Sequence, residues 1–155
     1  MKRRVWAALA LAVLAVGPAG CGEQPTEAEA KPVGPAGISA ANGRIMLSAV
    51  SGNPAAAYFD VTNGGDHDWM IRATSVEGAK GSTMHVTDGG SMQETLQVMV
   101  KGGETVKFEP GGLHVMVDGL PDTAKAGTKT DVTLTFVGGD KVTFPAEIRA
   151  AGDDR

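Results

Sequence analysis

The chain has 155 residues, with 14 Lys and Arg against 18 Asp and Glu, a formal net charge of -4. That balance excludes the clustered basic surface that a nucleic-acid partner requires. A single Cys excludes an internal disulfide and any cysteine-based zinc or iron–sulfur centre, and the length allows one domain with a modest core.

Met1-Lys2-Arg3-Arg4 is a positive start, followed by an uncharged apolar run from Val5 to Val16. The run is shorter than the ~20 residues of a membrane span and has the make-up of a signal-peptide core. Pro18-Ala19-Gly20-Cys21 then reads as small residues before a lipidated Cys, so residues 1–20 are a lipoprotein signal peptide. Cys21 becomes the acylated first residue of the mature protein, a membrane anchor on the outer face of the cytoplasmic membrane or in the periplasm. The other reading is ordinary secretion, with cleavage near Ala19 and a free Cys21. Removing residues 1–20 takes away Lys2, Arg3 and Arg4 and no acid, so the charge goes from -4 to -7. Residues 21–37 carry Glu23, Glu27, Glu29, Pro25, Pro32 and Pro35 with no aromatic residue, the composition of a flexible tether.

Residues 38–150 form the expected domain. Strands are predicted over 45–50, 55–62, 69–76, 82–87, 94–100, 105–109, 113–117, 130–136 and 141–148. Period-two alternation is clearest in Leu96/Val98/Val100, Val132/Leu134/Phe136 and Val142/Phe144/Ala146/Ile148. Glycine pairs at 64–65, 89–90, 102–103, 111–112 and 138–139 mark tight turns. About nine strands and no capped helical period imply an all-β, antiparallel β-sandwich or barrel. Residues 151–155 are a short C-terminal tail.

Only His67, His85 and His114 are available as imidazoles, whereas six Met follow the leader: Met46, Met70, Met84, Met92, Met99 and Met116. Two clusters stand out, Met84-His85 with Met92 beyond the Gly89-Gly90 turn, and His114-Val115-Met116. Residues i and i+2 of a strand share a face, so His114 and Met116 present an imidazole and a thioether side by side. If the His85 segment packs beside that strand, two nitrogens and two sulfurs converge. Thioether and imidazole are neutral, and the thioether is soft, a set that selects Cu(I) over oxygen-loving ions. Outside the cytoplasm Met also escapes the disulfide chemistry that consumes Cys. Met46, Met70 and Met99 read as core filler, and His67, within Gly65-Asp66-His67-Asp68, reads as a solvated turn residue.

The pattern resembles the signature of the PCuAC family of extracytoplasmic bacterial copper chaperones: a His beside a Met, a second Met, a 21-residue interval and His-x-Met. Here residues 93–113 are that interval, and His114-Val115-Met116 completes it. The stretch Pro110-Gly111-Gly112-Leu113-His114-Val115-Met116-Val117-Asp118-Gly119-Leu120 resembles the family's most recognisable segment, and residues 56–63 and 132–136 resemble its early and late strands. Between His85 and Met92 the interval is shortened, which leaves Met84 as an alternative second thioether. The family's Met/His-rich tail is missing, since no Met or His follows Met116.

The resemblance implies a cupredoxin-like, Greek-key sandwich holding one Cu(I) ion through His85, Met92, His114 and Met116. It implies delivery of copper to exported cuproproteins, such as the dinuclear copper subunit of cytochrome c oxidase, or to another copper chaperone. Blue-copper electron transfer needs a Cys thiolate in the site, and Cys21 lies beyond the tether. No nucleophile elbow or His–acid pairing suggests an enzyme. The competing function is a structural or interaction lipoprotein without metal, in which Met serves only as packing.

Overall fold

The computed structural model describes residue 34 and residues 37–153. The signal peptide, Cys21 and nearly all of the tether lie outside the described residues. Within them ten strands and no helix are found: β1 (Ile38–Met46), β2 (Ala55–Asn63), β3 (Trp69–Val76), β4 (Gly81–Asp88), β5 (Ser91–Glu94), β6 (Val98–Val100), β7 (Thr105–Phe108), β8 (Leu113–Asp118), β9 (Lys129–Phe136) and β10 (Lys141–Arg149).

The ten strands form one sheet in the order β5-β4-β8-β7-β2-β1-β10-β9-β3-β6, and β8 also pairs with β2. The pairing is mostly antiparallel, but β1–β10 and β7–β8 are parallel, which modifies the expectation of a purely antiparallel sheet. β5 and β6 stand at opposite ends of that order, yet only residues 95–97 connect them. A link of three residues spans at most about 14 Å between strand ends, so the sheet curls until its ends meet. The Ser82 hydroxyl donates to the Thr74 carbonyl (2.6 Å) and accepts from the Thr74 hydroxyl (3.1 Å), which ties β4 to β3 across that seam.

The inward faces close around one core. Alternation does the sorting: β2 buries Ala55, Ala57, Phe59, Val61 and Asn63, and β10 buries Val142, Phe144, Ala146 and Ile148. Phe59 is the aromatic hub. Its ring stacks on Phe108 at 4.3 Å and meets Phe144 edge-on at 5.1 Å, contacts that add ~0.5–1.5 kcal/mol each beyond burial. Asn63 is a polar residue fully buried on the inward face, and its amide is satisfied. Nδ2 donates to the carbonyls of His67 (2.7 Å) and Val100 (3.1 Å), and Oδ1 accepts from the Gly65 amide (3.0 Å).

Three sequence expectations are corrected. The first strand spans Ile38–Met46 rather than 45–50: a bulge between Ala41 and Arg44 breaks the alternation of its first half, and residues 47–50 lie outside it. Asn42 sits there at φ 58°, and a Cβ on Gly43 would lie 2.6 Å from the Pro145 carbonyl oxygen. The strand expected over 94–100 is two strands, and Leu96, in the link between them, is 75% exposed. Met46 is buried, but Met70 is half-buried and Met99 is 44% exposed, so these two are not core filler.

Candidate metal centre

β4 and β8 run antiparallel in a register that pairs Met84 with Val115, His85 with His114 and Thr83 with Met116. Met84 and Val115 are buried in the core. Parity therefore turns Thr83, His85, His114 and Met116 to the other, outer face. Met84 points inward, away from the imidazoles, which removes it as a candidate thioether.

His85 and His114 are direct cross-strand partners. Their ring centroids lie 5.8 Å apart with planes 20° from parallel. Each ring is oriented by its own strand: Nδ1 of His114 lies 3.0 Å from the Gly112 carbonyl oxygen, and Nδ1 of His85 lies 3.3 Å from that of Thr83. A carbonyl oxygen only accepts, so Nδ1 carries the proton in both rings. The lone pair of a neutral imidazole is then on Nε2 in each case, the arrangement by which a second hydrogen bond aims a histidine ligand. His114 is 5% exposed, while His85 and Met116 are half-buried.

Met116 is two residues from His114 on the same face and diagonal to His85 across the ladder, a separation of about 7–8 Å at the backbone that long side chains bridge. These three side chains form one group. Met92 shares the face but not the place. The Gly89-Gly90 turn has φ values of 56° and 84°, the two positive angles of a type I′ hairpin, and it sets Met92 opposite Thr87. Thr87 and Thr83 flank His85 on either side, so Met92 and Met116 are four residues apart along β4 and two strands apart across it. Strand geometry puts that at roughly 16 Å between backbones. Metal–sulfur bonds of ~2.3 Å cannot close such a span around a single ion. Met92 is 56% exposed at the free edge of the sheet.

The same register reveals a neighbour that sequence spacing did not single out. Glu94 on β5 is directly opposite His85 and exposed. Only the tight-turn pairing of β4 with β5 discloses it, since nothing in the sequence around Glu94 marks it. Among the described residues no three His, Cys, Asp or Glu side chains come together as a metal cluster. The group is therefore two imidazoles and a thioether, a neutral and soft donor set suited to Cu(I).

The family model described as "Putative lipoprotein LpqE-like" matches residues 38–148. A protein of Leifsonia xyli subsp. xyli (strain CTCB07), described as "Putative lipoprotein Lxx21020", is 31% identical over 101 residues, covering 62% of this chain and 61% of that protein. The match thus spans less than two thirds of that relative's length. Among solved structures, the copper-bound PCuAC domain from PmoF2 superposes with a TM-score of 0.62 at 18% identity, over 73% of this chain and 92% of that one. The solution structure of Cu(I)-loaded DR1885 from Deinococcus radiodurans gives a TM-score of 0.58 at 22% identity, over 84% of this chain and 87% of that one. At these identities the likeness is one of fold, and the fold is that of PCuAC domains.

Proposed function

The chain belongs to the LpqE-like lipoprotein family, and from that premise we propose that it is an extracytoplasmic copper carrier that binds one Cu(I) ion at His85, His114 and Met116. The observation that carries the reading is the β4–β8 register, with two imidazoles side by side, both Nδ1 protons held by backbone carbonyls, and a thioether next to them. Copper is the cargo, and no chemical step is performed on it. Two neutral nitrogens and one sulfur satisfy a soft monovalent ion and leave its charge uncompensated. The fold neighbours solved with copper, the PCuAC domain from PmoF2 and DR1885, support the same reading.

Three side chains leave part of the ion's surface open. A carrier needs that opening, because an incoming ligand from the recipient must reach the metal before the old ones leave. Met92 is on the hairpin edge of this face and supplies a fourth, exchangeable donor if the β4–β5 hairpin folds over the ion. Glu94 contributes a negative charge beside His85 and lessens the cost of holding a cation with neutral ligands. Cys21 acylation tethers the domain to the outer side of the membrane, within reach of membrane cuproproteins such as the copper subunit of cytochrome c oxidase.

Titration with Cu(I) against a competing chelator, under reducing conditions, tests the reading. The wild type is expected to bind one ion tightly at this centre, and His114→Ala/Met116→Ala to lose that binding. Equal affinities in the two proteins would end the proposal.

A further inference from the structure

The methionines that leave the core expectation unmet lie together. Met70 on β3 is directly opposite Met99 on β6, and both point outward because Trp69, Ile71, Val98 and Val100 take the inward positions. Met99 is 44% exposed. On the other side of Met70 comes Val137, 51% exposed, whose amide donates to the Met70 carbonyl at 2.8 Å. His67, Met70 and Val137 line one open hollow of about 350 Å³.

The backbone carrying His67 is pinned beside this pair. Asn63 holds the His67 carbonyl at 2.7 Å, Asp68 Oδ1 accepts from the Gly102 amide at 3.0 Å, and Gly103 donates to the Gly65 carbonyl at 3.0 Å. A Cβ on Gly102 would lie 2.7 Å from the Asp66 carbonyl oxygen, so only glycine permits this approach. The side chain, by contrast, is free to turn. It is 87% exposed, and it meets the carboxylate of Asp66, itself 94% exposed, at 3.5 Å. Exposed pairs of that kind hold weakly.

We infer that Met70, Met99 and His67 form a second soft-metal site, separate from the β4–β8 centre, that takes a monovalent ion of the Cu(I) or Ag(I) class. Directly opposed residues have Cβ atoms about 4.5–5.5 Å apart, so two thioethers, each reaching two bonds further, meet a single ion at ~2.3 Å without moving the backbone. The imidazole adds a third neutral donor from the rim. Hard cations gain nothing from such a set. The inference stands whether or not the first centre binds copper, because it uses none of the same residues.

The test is an Ag(I) titration of the full chain in detergent micelles, in halide-free and thiol-free buffer, with the methionine methyl groups carbon-13 labelled. Silver replaces copper to avoid redox chemistry. The Met70 and Met99 methyl resonances should shift together and saturate. Met70→Leu/Met99→Leu, a volume-conserving change, should bind one fewer ion per chain. Stationary Met70 and Met99 signals while Met116 shifts overturn the second site and leave the first. Shifts at Met70 and Met99 with Met116 unmoved support the second site and count against the first. An affinity that His67→Ala leaves unchanged, or a stoichiometry unchanged in the double Leu variant, overturns the assignment.

Discussion

The two faces of the β4–β8 ladder use adjacent residues for opposite ends. Met84 and Val115, paired on the inner face, are 4% and 0% exposed and serve the core. One residue away on each strand, His85 and His114 pair on the outer face and hold their Nε2 atoms free of the backbone. Residue type does not separate the two sets, since a methionine occurs on each. Strand parity does, and a slip of one residue in the register would exchange them.

This contrast can be broken at either face. The largest expected effect is on the outer face: His85→Ala/Met116→Ala, at two half-buried positions, should weaken Cu(I) binding by on the order of a hundredfold or more, about 3 kcal/mol, with a smaller cost in unfolding free energy than truncation of a fully buried side chain. Competition titration and a urea curve measured on the same preparation check both halves. On the inner face the pattern should invert. Met84→Ala leaves a cavity and should cost about 2–4 kcal/mol of unfolding free energy, with the Cu(I) affinity per folded molecule unchanged. A loss of affinity matching the loss of stability would show that the faces are not independent.

Acidification sharpens the contrast. Protons compete with the metal for imidazole Nε2, so binding weakens as the solution is acidified. With two imidazoles displaced the slope should approach two decades of affinity per pH unit, and chelator competition between about pH 5 and 8 reads it directly. The smallest effect is expected from Met92→Leu. Its place at the hairpin edge predicts a change of less than about tenfold, under 1.4 kcal/mol. A loss as large as that from Met116→Leu would mean that the hairpin closes fully over the ion.

Much of this was legible in the sequence, for physical reasons. β9 and β10 alternate cleanly because each has one wet and one dry face, and Gly89-Gly90 and Gly138-Gly139 have the positive φ angles that their turns need. His114 and Met116 share a face by strand periodicity alone. What escaped depended on long-range pairing. The bulge at Ala41–Arg44 hid the first half of β1 by shifting its period. Leu96 imitated the alternation of Val98 and Val100, although it belongs to the link between two sheet ends. Met70 and Met99 read locally as packing because nothing in the neighbouring sequence says which face of β3 and β6 is dry; Trp69, Ile71, Val98 and Val100 decide that once they pair. Glu94 next to His85 is visible only when the hairpin register is known.

The paired carbonyls of Thr83 and Gly112 have a kinetic consequence. Since they fix the proton of each ring on Nδ1 beforehand, an arriving ion need wait for no tautomer exchange, and a departing one leaves both rings as it found them. Capture and release then cost little beyond the exchange of ligands, which suits a vehicle better than a vault.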